Sequence, residues 1–367
     1  MIKEVKLNWK LLKSLLDEIG ISSFEKNVQE LILSHINPLL YEANFNNLGH
    51  LIFKSKSRKR KRIVVCSHSD EVGFIIKRVT EEGLAEVLPL GGMYTHSVYG
   101  AQFTFVNIHN KRVTGVLMHP TRKDTGVISG ENQRGTKRFL NIPKNLYNQK
   151  ITKTIHYIDF GFKSKKDARK AGIRVGCQGT YATKAKKIGN QRILAKAIDN
   201  RLGTYLNLIT SFSMNENNNY AIDRIFGTRE EIGAVSIDTA LANSNYKAAI
   251  VIDISPSRED ERIGKLGDGV LERIVDANHI TNRKNLDHFL QTAKKYNIKT
   301  QPYVSLGGTD AGIINIHDSG IPIFPLCIVS RNLHTGNSIC DINDVLNANK
   351  MLLALLKEIK PSWLNSL

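Results

Sequence analysis

The sequence predicts an α/β domain interrupted by a small β insertion, and three observations lead there. Apolar runs of the buried kind alternate with helix-periodic stretches toward both ends of the chain. The middle switches to short strands broken by turn signals. The apolar runs also lead, one after another, into a His, Asp or Glu. At 367 residues the chain exceeds one typical domain, which suits two domains or one large domain carrying an insertion.

Two amphipathic helices open the chain, carried by Trp9-Lys-Leu-Leu-Lys-Ser-Leu-Leu and Val28-Gln-Glu-Leu-Ile-Leu, with Ser22-Ser23 expected as a cap between them. Lys54 to Arg62 then holds seven basic residues and reads as a solvated turn, with phosphate binding as its other use. Ile63-Val-Val-Cys-Ser is a short, fully buried strand. From about Gly73 to Thr183, Phe74-Ile-Ile, Glu81-Glu-Gly, Phe103-Thr-Phe-Val and Val113-Thr-Gly-Val alternate strands and turns, the pattern of a small β domain. After Ala195 a helix from Leu202 to Phe212 and buried strands at Lys247-Ala-Ala-Ile-Val-Ile and Ile321-Pro-Ile-Phe-Pro-Leu restore the α/β rhythm. Asn215-Glu-Asn-Asn-Asn219 reads as an exposed loop.

Composition is globular, 41% hydrophobic and 23% charged, which excludes a disordered linker or a fibre. No apolar run reaches the roughly 18 residues of a membrane span, and the start lacks a secretory segment. The four cysteines are scattered and show no C-x-x-C spacing, so they read as reduced thiols. The expectation is a cytoplasmic protein with no membrane partner. A formal charge of +18 biases it toward acidic partners by long-range steering.

The chemistry lies where the apolar runs end. Ile63-Val-Val-Cys-Ser leads to His68-Ser-Asp70-Glu71, Arg224-Ile-Phe-Gly-Thr-Arg to Glu230-Glu231, Ala248-Ala-Ile-Val-Ile to Asp253, and Pro322-Ile-Phe-Pro-Leu-Cys-Ile-Val to His334. In an open α/β sheet such residues converge on one crevice beyond the carboxyl ends of the strands. Asp199 precedes a helix and fits either a cap or a ligand. Two His with several carboxylates form the nitrogen and oxygen set that zinc, cobalt or manganese accepts. Two ions sharing one carboxylate need about five ligands, and His68, Asp199, Glu231, Asp253 and His334 supply that number. Glu230, pointing away from Glu231 if the segment is extended, is then the candidate general base. Asp70, two residues beyond His68, can hold its second ring nitrogen. The glycine-rich Gly307-Gly308-Thr309-Asp310-Ala-Gly312 is a candidate substrate-binding loop.

These residues carry a resemblance. His68-Ser-Asp-Glu-Val-Gly73, Pro89-Leu-Gly-Gly92, Lys196-Ala-Ile-Asp-Asn-Arg201, Glu230-Glu-Ile-Gly233, Ile252-Asp-Ile-Ser-Pro256, Gly307-Gly-Thr-Asp-Ala-Gly312 and Arg331-Asn-Leu-His334 resemble the glutamyl aminopeptidase family of co-catalytic metallopeptidases, which includes the tetrahedral aminopeptidases. The resemblance implies a zinc-exopeptidase type of fold, a mixed sheet flanked by helices with a barrel-like insertion. It implies a catalytic domain at 1–70 and 190–367, and an insertion at 71–189 serving oligomerisation and site access. His68 and Asp253 would flank two divalent metal ions, Asp199 bridge them, Glu231 and His334 complete the set, Glu230 act as base and Asp70 orient His68. The partners implied are peptides with free amino ends and further copies of the chain, up to a tetrahedral dodecamer built from dimers. Ser257-Arg-Glu-Asp-Glu-Arg262, which borders the site in relatives, is unusually charged here, so substrate preference does not transfer.

The same ligands would also serve a metal-dependent deacylase, and a requirement for a free amino group separates the two. The charge and the basic run leave a third reading, a nucleic-acid or anionic-surface binder with a vestigial site. Salt-sensitive binding that survives chelation would mark that reading.

Overall fold

A computed structural model of the chain describes residues 6–119 and 156–361. The first five residues, read above for a secretory segment, and 120–155, part of the expected insertion, lie outside the described residues. The chain divides into two compact units: Met1–Glu71 with Lys184–Leu333 and Asn337–Leu367, and Val72–Thr183 with His334–Gly336.

In the larger unit, nine strands among the described residues form one mixed sheet. From one edge the order is Tyr41–Phe45, Leu51–Ser55, Ala221–Gly227, Arg62–His68, Tyr246–Pro256, Ile323–Ser330, Val270–Asp276 and His279–Ile280, with Thr300–Val304 branching onto Val270–Asp276. The four strands from Ala221–Gly227 to Ile323–Ser330 run parallel, and antiparallel pairs flank them on both sides. Parallel strands are covered on both faces, and the alternation of side chains feeds two cores. Val65, Ile250, Ile252 and Phe324 pack with Leu12, Leu15, Leu206 and Leu352 on one face. Val64, Cys66, Ala249, Val251 and Ile323 pack with Ile237, Ala311 and Ile314 on the other.

The opening helices are Trp9–Asp17 and Lys26–Leu33. Leu11, Leu12, Leu15 and Leu16 bury one face of the first, and the Asn8 side chain caps it by accepting from the Leu11 amide. The expected Ser22-Ser23 cap does not form, because the second helix starts after Glu25 with no side-chain cap. Ser22 instead donates to Asp70 at 2.6 Å, and Ser23 takes a left-handed turn at φ 73°. The basic run links strands Leu51–Ser55 and Arg62–His68, with Arg62 paired to Asp223 at 2.5 Å and Lys59 to Glu216 at 3.3 Å. The Asn tract is more firmly held than a free loop, since the Asn217 amide group donates to the Leu356 carbonyl at 2.7 Å.

In the smaller unit six strands close into a barrel, in the order Gly73–Val79, Ala85–Leu90, His156–Asp159, Arg112–Leu117, Gln102–Val106 and Gln178–Tyr181. Among the described residues, closure leaves this barrel no edge strand. Phe74, Phe103, Phe105 and Ile158 fill its interior, Phe74 meeting Phe103 edge-on at 5.0 Å. A methyl group at Gly179 would sit 2.5 Å from the Phe105 ring, so that strand crosses the core only as glycine. The sequence boundary at 189 differs from the structural one at Thr183. The reason is that Lys186–Ile188 and Arg192–Ala195 pair with Ser338–Asp341 in a three-stranded sheet of the larger unit. His334–Gly336 groups with the barrel rather than with the residues around it, because its contacts are to Gly92, Tyr181 and Thr183.

Candidate active site

His68 is the last residue of its strand and stands in register with Gly227, the last residue of its neighbour. Glu230 and Glu231 follow Gly227 after two residues, and Asp253 lies inside the next parallel strand, level with Cys327. The crossover rule therefore brings three of the sequence-selected runs to one end of the sheet. His68 Nε2 lies 3.1 Å from Asp199 Oδ1, 3.5 Å from Asp253 Oδ1 and 3.9 Å from Glu230 Oε2. Donor atoms of His68, Asp199 and Asp253 all fall within 4.8 Å of one another, as do those of Asp199 and Glu231.

The acidic pair is not extended as the sequence reading supposed. Arg229 takes a left-handed φ of 62°, and the amides of Gly233 and Ala234 both bond back to the Glu230 carbonyl, so the pair sits on a tight turn. Asp70 holds that turn. Its two oxygens accept from the amides of Glu230 and Glu231, each at 3.1 Å, while Oδ1 faces His68 Nδ1 at 3.3 Å. A proton on Nδ1 toward Asp70 leaves the Nε2 lone pair facing Asp199 and Asp253. Glu25 adds a second tie, accepting from the amides of Ser23 and Arg229.

Asp199 and Asn200 interrupt the helical backbone at the start of helix Ile198–Ser211, after Ala197 at φ 51° and with a cis peptide bond between them. This helix meets the sheet with polar as well as apolar side chains. The Asn200 amide group donates to Ile252 O at 2.7 Å, Thr204 to His68 O at 2.8 Å, and Asn207 to Ile225 O at 3.1 Å. Sequence reasoning took the segment for an apolar-periodic helix and missed this face. The spacing of Asn200, Thr204 and Asn207, i, i+4 and i+7, is the signal that would have found it.

Of the glycine-rich segment, Gly308 precedes Thr309, and Thr309 caps a helix, Asp310–Asn315, accepting from the Ala311 amide and donating to Asp276 at 2.8 Å. The expected flexible substrate loop is thus in part a capped helix. Asp310 is buried, and among the described residues its Oδ1 has no hydrogen-bond partner. Burial first, and then the charges of Asp253 and Asp70, push its carboxyl up to about 7 against the pull of His68.

His334, in its own unit, bonds the Gly92 carbonyl through Nδ1 at 2.6 Å. A carbonyl only accepts, so Nδ1 carries the proton and Nε2 keeps the lone pair, the tautomer a metal requires. Gly92 belongs to a motif that sequence reading noted without giving it a role.

Charge is the sharpest test of whether these residues suit metal ions. Glu230 is driven well above the ordinary carboxyl range by burial, then by Asp253, Asp310 and Glu231, with only His68 pulling the other way. Asp253 is raised by burial and by Asp199. His68 is held well above its usual range, burial opposing it and Glu230, Asp199, Asp253 and Asp70 together prevailing. Buried carboxylates crowded around one imidazole lack positive charge, and divalent cations with a mixed nitrogen and oxygen preference supply it. The donor set fits.

A match to the M42 glutamyl aminopeptidase family spans residues 49–351. The chain belongs to this family. It is 28% identical over 354 residues to a glutamyl aminopeptidase of Lactococcus lactis subsp. cremoris, covering 95% of each chain. It is also 25% identical over 364 residues to a lysyl aminopeptidase of Pyrococcus furiosus, covering 97% of this chain and 98% of that one. Among solved structures an aminopeptidase from the archaeon Desulfurococcus kamchatkensis superposes with TM-score 0.85 at 23% identity, over 97% of this chain and 96% of the other. A chain of the Pyrococcus horikoshii TET1 peptidase superposes at TM-score 0.79 and 21% identity, over 95% of this chain and 99% of the other. These likenesses bear out the expected mixed-sheet fold with its barrel. Membership makes the chain a metal-dependent aminopeptidase, a hydrolase of peptide bonds that takes divalent metal ions. The deacylase and polyanion-binding readings give way to it as the main activity.

Proposed function

We propose that the chain removes single residues from the free amino end of peptides with two divalent ions, zinc or cobalt before manganese, and with Glu230 as general base. Asp199 would bridge the ions, His68 and Asp253 would flank them, and Glu231 and His334 would complete the set. The observation that carries this reading is the buried His68, Asp199 and Asp253 cluster with the Glu230 carboxylate 3.9 Å from the same imidazole nitrogen. When bound, the ions supply Lewis-acid polarisation of the peptide carbonyl and activation of water.

The remaining steps belong to the chain's own groups. Glu230 takes the proton of the attacking water on its carboxylate and returns it to the departing amine. Asp70 keeps the His68 ring in one tautomer and, through the two amides it accepts from, fixes where Glu230 and Glu231 point. Gly308, Thr309 and Asp310 form one wall of the substrate site, where a buried carboxylate suits the substrate's ammonium group.

The net charge of +18 supports a preference for acidic amino-terminal residues, as in the L. lactis relative's name rather than the P. furiosus one. Assembly into a homo-oligomer, a tetrahedral dodecamer of dimers, is proposed from the P. horikoshii TET1 peptidase, described as a tetrahedron or a large octahedral shell. The described helices include none long and apolar enough to cross a membrane, which accords with a cytoplasmic site of action.

Peptides with acidic, basic and apolar first residues, each with a free and an acetylated end, test the reading in chelator and in added zinc or cobalt. Metal-dependent trimming of free-ended peptides alone is expected, fastest on the acidic ones. Equal hydrolysis of acetylated peptides would refute the end-specific mechanism.

A further inference from the structure

A buried ion triad lies just behind the candidate ligands. Glu71, Lys196 and Arg201 are almost wholly buried, 2%, 2% and 0% exposed. Lys196 spends all three of its hydrogens, on Glu71 Oε1 at 2.7 Å, Glu71 Oε2 at 2.9 Å and the Glu18 carbonyl at 2.8 Å. Arg201 uses its whole fork: Nε donates to Ser69 O at 2.7 Å, one terminal nitrogen to Leu15 O and Glu18 O, the other to Gly20 O and Glu71 Oε1. Glu71 also accepts from the Gly20 amide at 3.2 Å. A methyl group at Gly20 would come 2.7 Å from Val28 and 3.1 Å from the guanidinium, so the arginine's seat depends on glycine there.

The triad's partners are telling. Ser69 and Glu71 belong to the segment that carries His68 and Asp70, while Lys196 and Arg201 bracket Asp199 at three residues before and two after. The ties to Glu71 and Ser69 therefore run between the segment holding one candidate ligand and the segment holding another, and the remaining ties brace both against the chain from Leu15 to Gly20. Net stability does not account for such an arrangement, because buried ion pairs are often matched or bettered by apolar residues of the same volume. Metal affinity does, because it falls steeply when ligands stand at the wrong separation.

We propose that Glu71, Lys196 and Arg201 are positioning residues that set the separation of His68 and Asp199, and with it the affinity for metal. This rests on the metallopeptidase reading above. The test is zinc titration of the metal-free full chain against a chromophoric chelator, with thermal unfolding of the same metal-free samples in parallel. The parent, Lys196→Met, Glu71→Gln and the milder Arg201→Lys are compared. Arg201→Lys keeps the charge beside Glu71 and gives up the fork that reaches Ser69 and Leu15. Each folded variant is expected to bind zinc about 10 to 100 times more weakly than the parent. The double variant Glu71→Gln with Lys196→Met should lose less than the sum of the two single changes, because both remove the Lys196–Glu71 contact. A lowered melting temperature with parental zinc affinity in the folded molecules would assign the triad to stability alone and overturn the inference. If Glu71→Gln does not fold, Arg201→Lys decides by the same criterion. A parent chain that takes up no zinc would refute the metal reading itself, and this inference with it.

Discussion

Helices Ile198–Ser211 and Ile342–Glu358 pack into the same core, but the first carries a row of buried polar side chains among its apolar ones and the second is mainly apolar. The second presents Val345, Ala348, Met351, Leu352 and Leu355, and its job is to exclude water. Beside Leu202, Tyr205 and Leu206, the first presents Asn200, Arg201, Thr204 and Asn207, and these reach backbone oxygens at Ile252, Ser69, His68 and Ile225. An apolar contact tolerates sliding, whereas a hydrogen bond fixes distance and direction. The polar side chains of the first helix fix three strands that carry or lead into the candidate ligands.

The contrast can be broken by substitution, beginning with the largest effect. Asp199→Asn, in the first turn of the polar helix, should weaken zinc binding by more than about a hundredfold, beyond the 10 to 100 times of a change behind a ligand, and abolish trimming. Metal content after dialysis against zinc measures it. Leu352→Ala, in the apolar helix, should cost about 2–5 kcal/mol in urea unfolding and leave the zinc dissociation constant of the folded protein alone.

Acid should loosen the polar end by a third route. His50 is buried, with its Nε2 donating to the Ser236 carbonyl at 2.9 Å and its Nδ1 accepting from the Thr228 amide at 3.1 Å. Both nitrogens are committed to the neutral ring, and burial pushes its pKa down from 6.5 to about 4. The unfolded chain takes up a proton below about 6.5 that the folded chain refuses until about 4. Stability from this group is thus complete above pH 6.5 and drains away toward pH 4, by on the order of 3 kcal/mol in all. Unfolding free energies of parent and His50→Gln across that window should differ in slope by about one proton. Parallel curves would remove His50 from the account.

The finest test is a reciprocal pair. Thr204→Val removes one hydroxyl from the polar helix, and Val345→Thr adds one to the apolar helix. Each should cost about 1–3 kcal/mol of stability, and only the first should weaken zinc binding. Equal effects on zinc would erase the distinction between the helices.

What the sequence disclosed follows from the same contrast. His68, Asp253 and the acidic pair were legible because His68 ends a run buried on both faces, the acidic pair follows another and Asp253 lies within a third, places where charged residues are rare. The inner face of Ile198–Ser211 was not, because its polar residues are interleaved with Leu202, Tyr205, Leu206 and Leu208, and the apolar period dominates. The turn at Arg229 depends on a left-handed residue that is not glycine, so no turn signal announced it. Ser22 resembled a cap because local rules cannot see Asp70, a residue 48 positions away. Gly307 to Gly312 looked like a loop from its glycines, yet Thr309 provides a helix cap whose strength outweighs them.

In the proposed mechanism Glu230 is the base while other residues hold the metal. The direct measurement is zinc content and turnover of one free-ended acidic peptide by parent and Glu230→Gln at the same zinc concentration. Both proteins are expected to hold the same two ions per chain, with turnover lowered by about 10² to 10⁴ in the variant. Turnover near the parental rate, or loss of zinc from the variant, would contradict that mechanism.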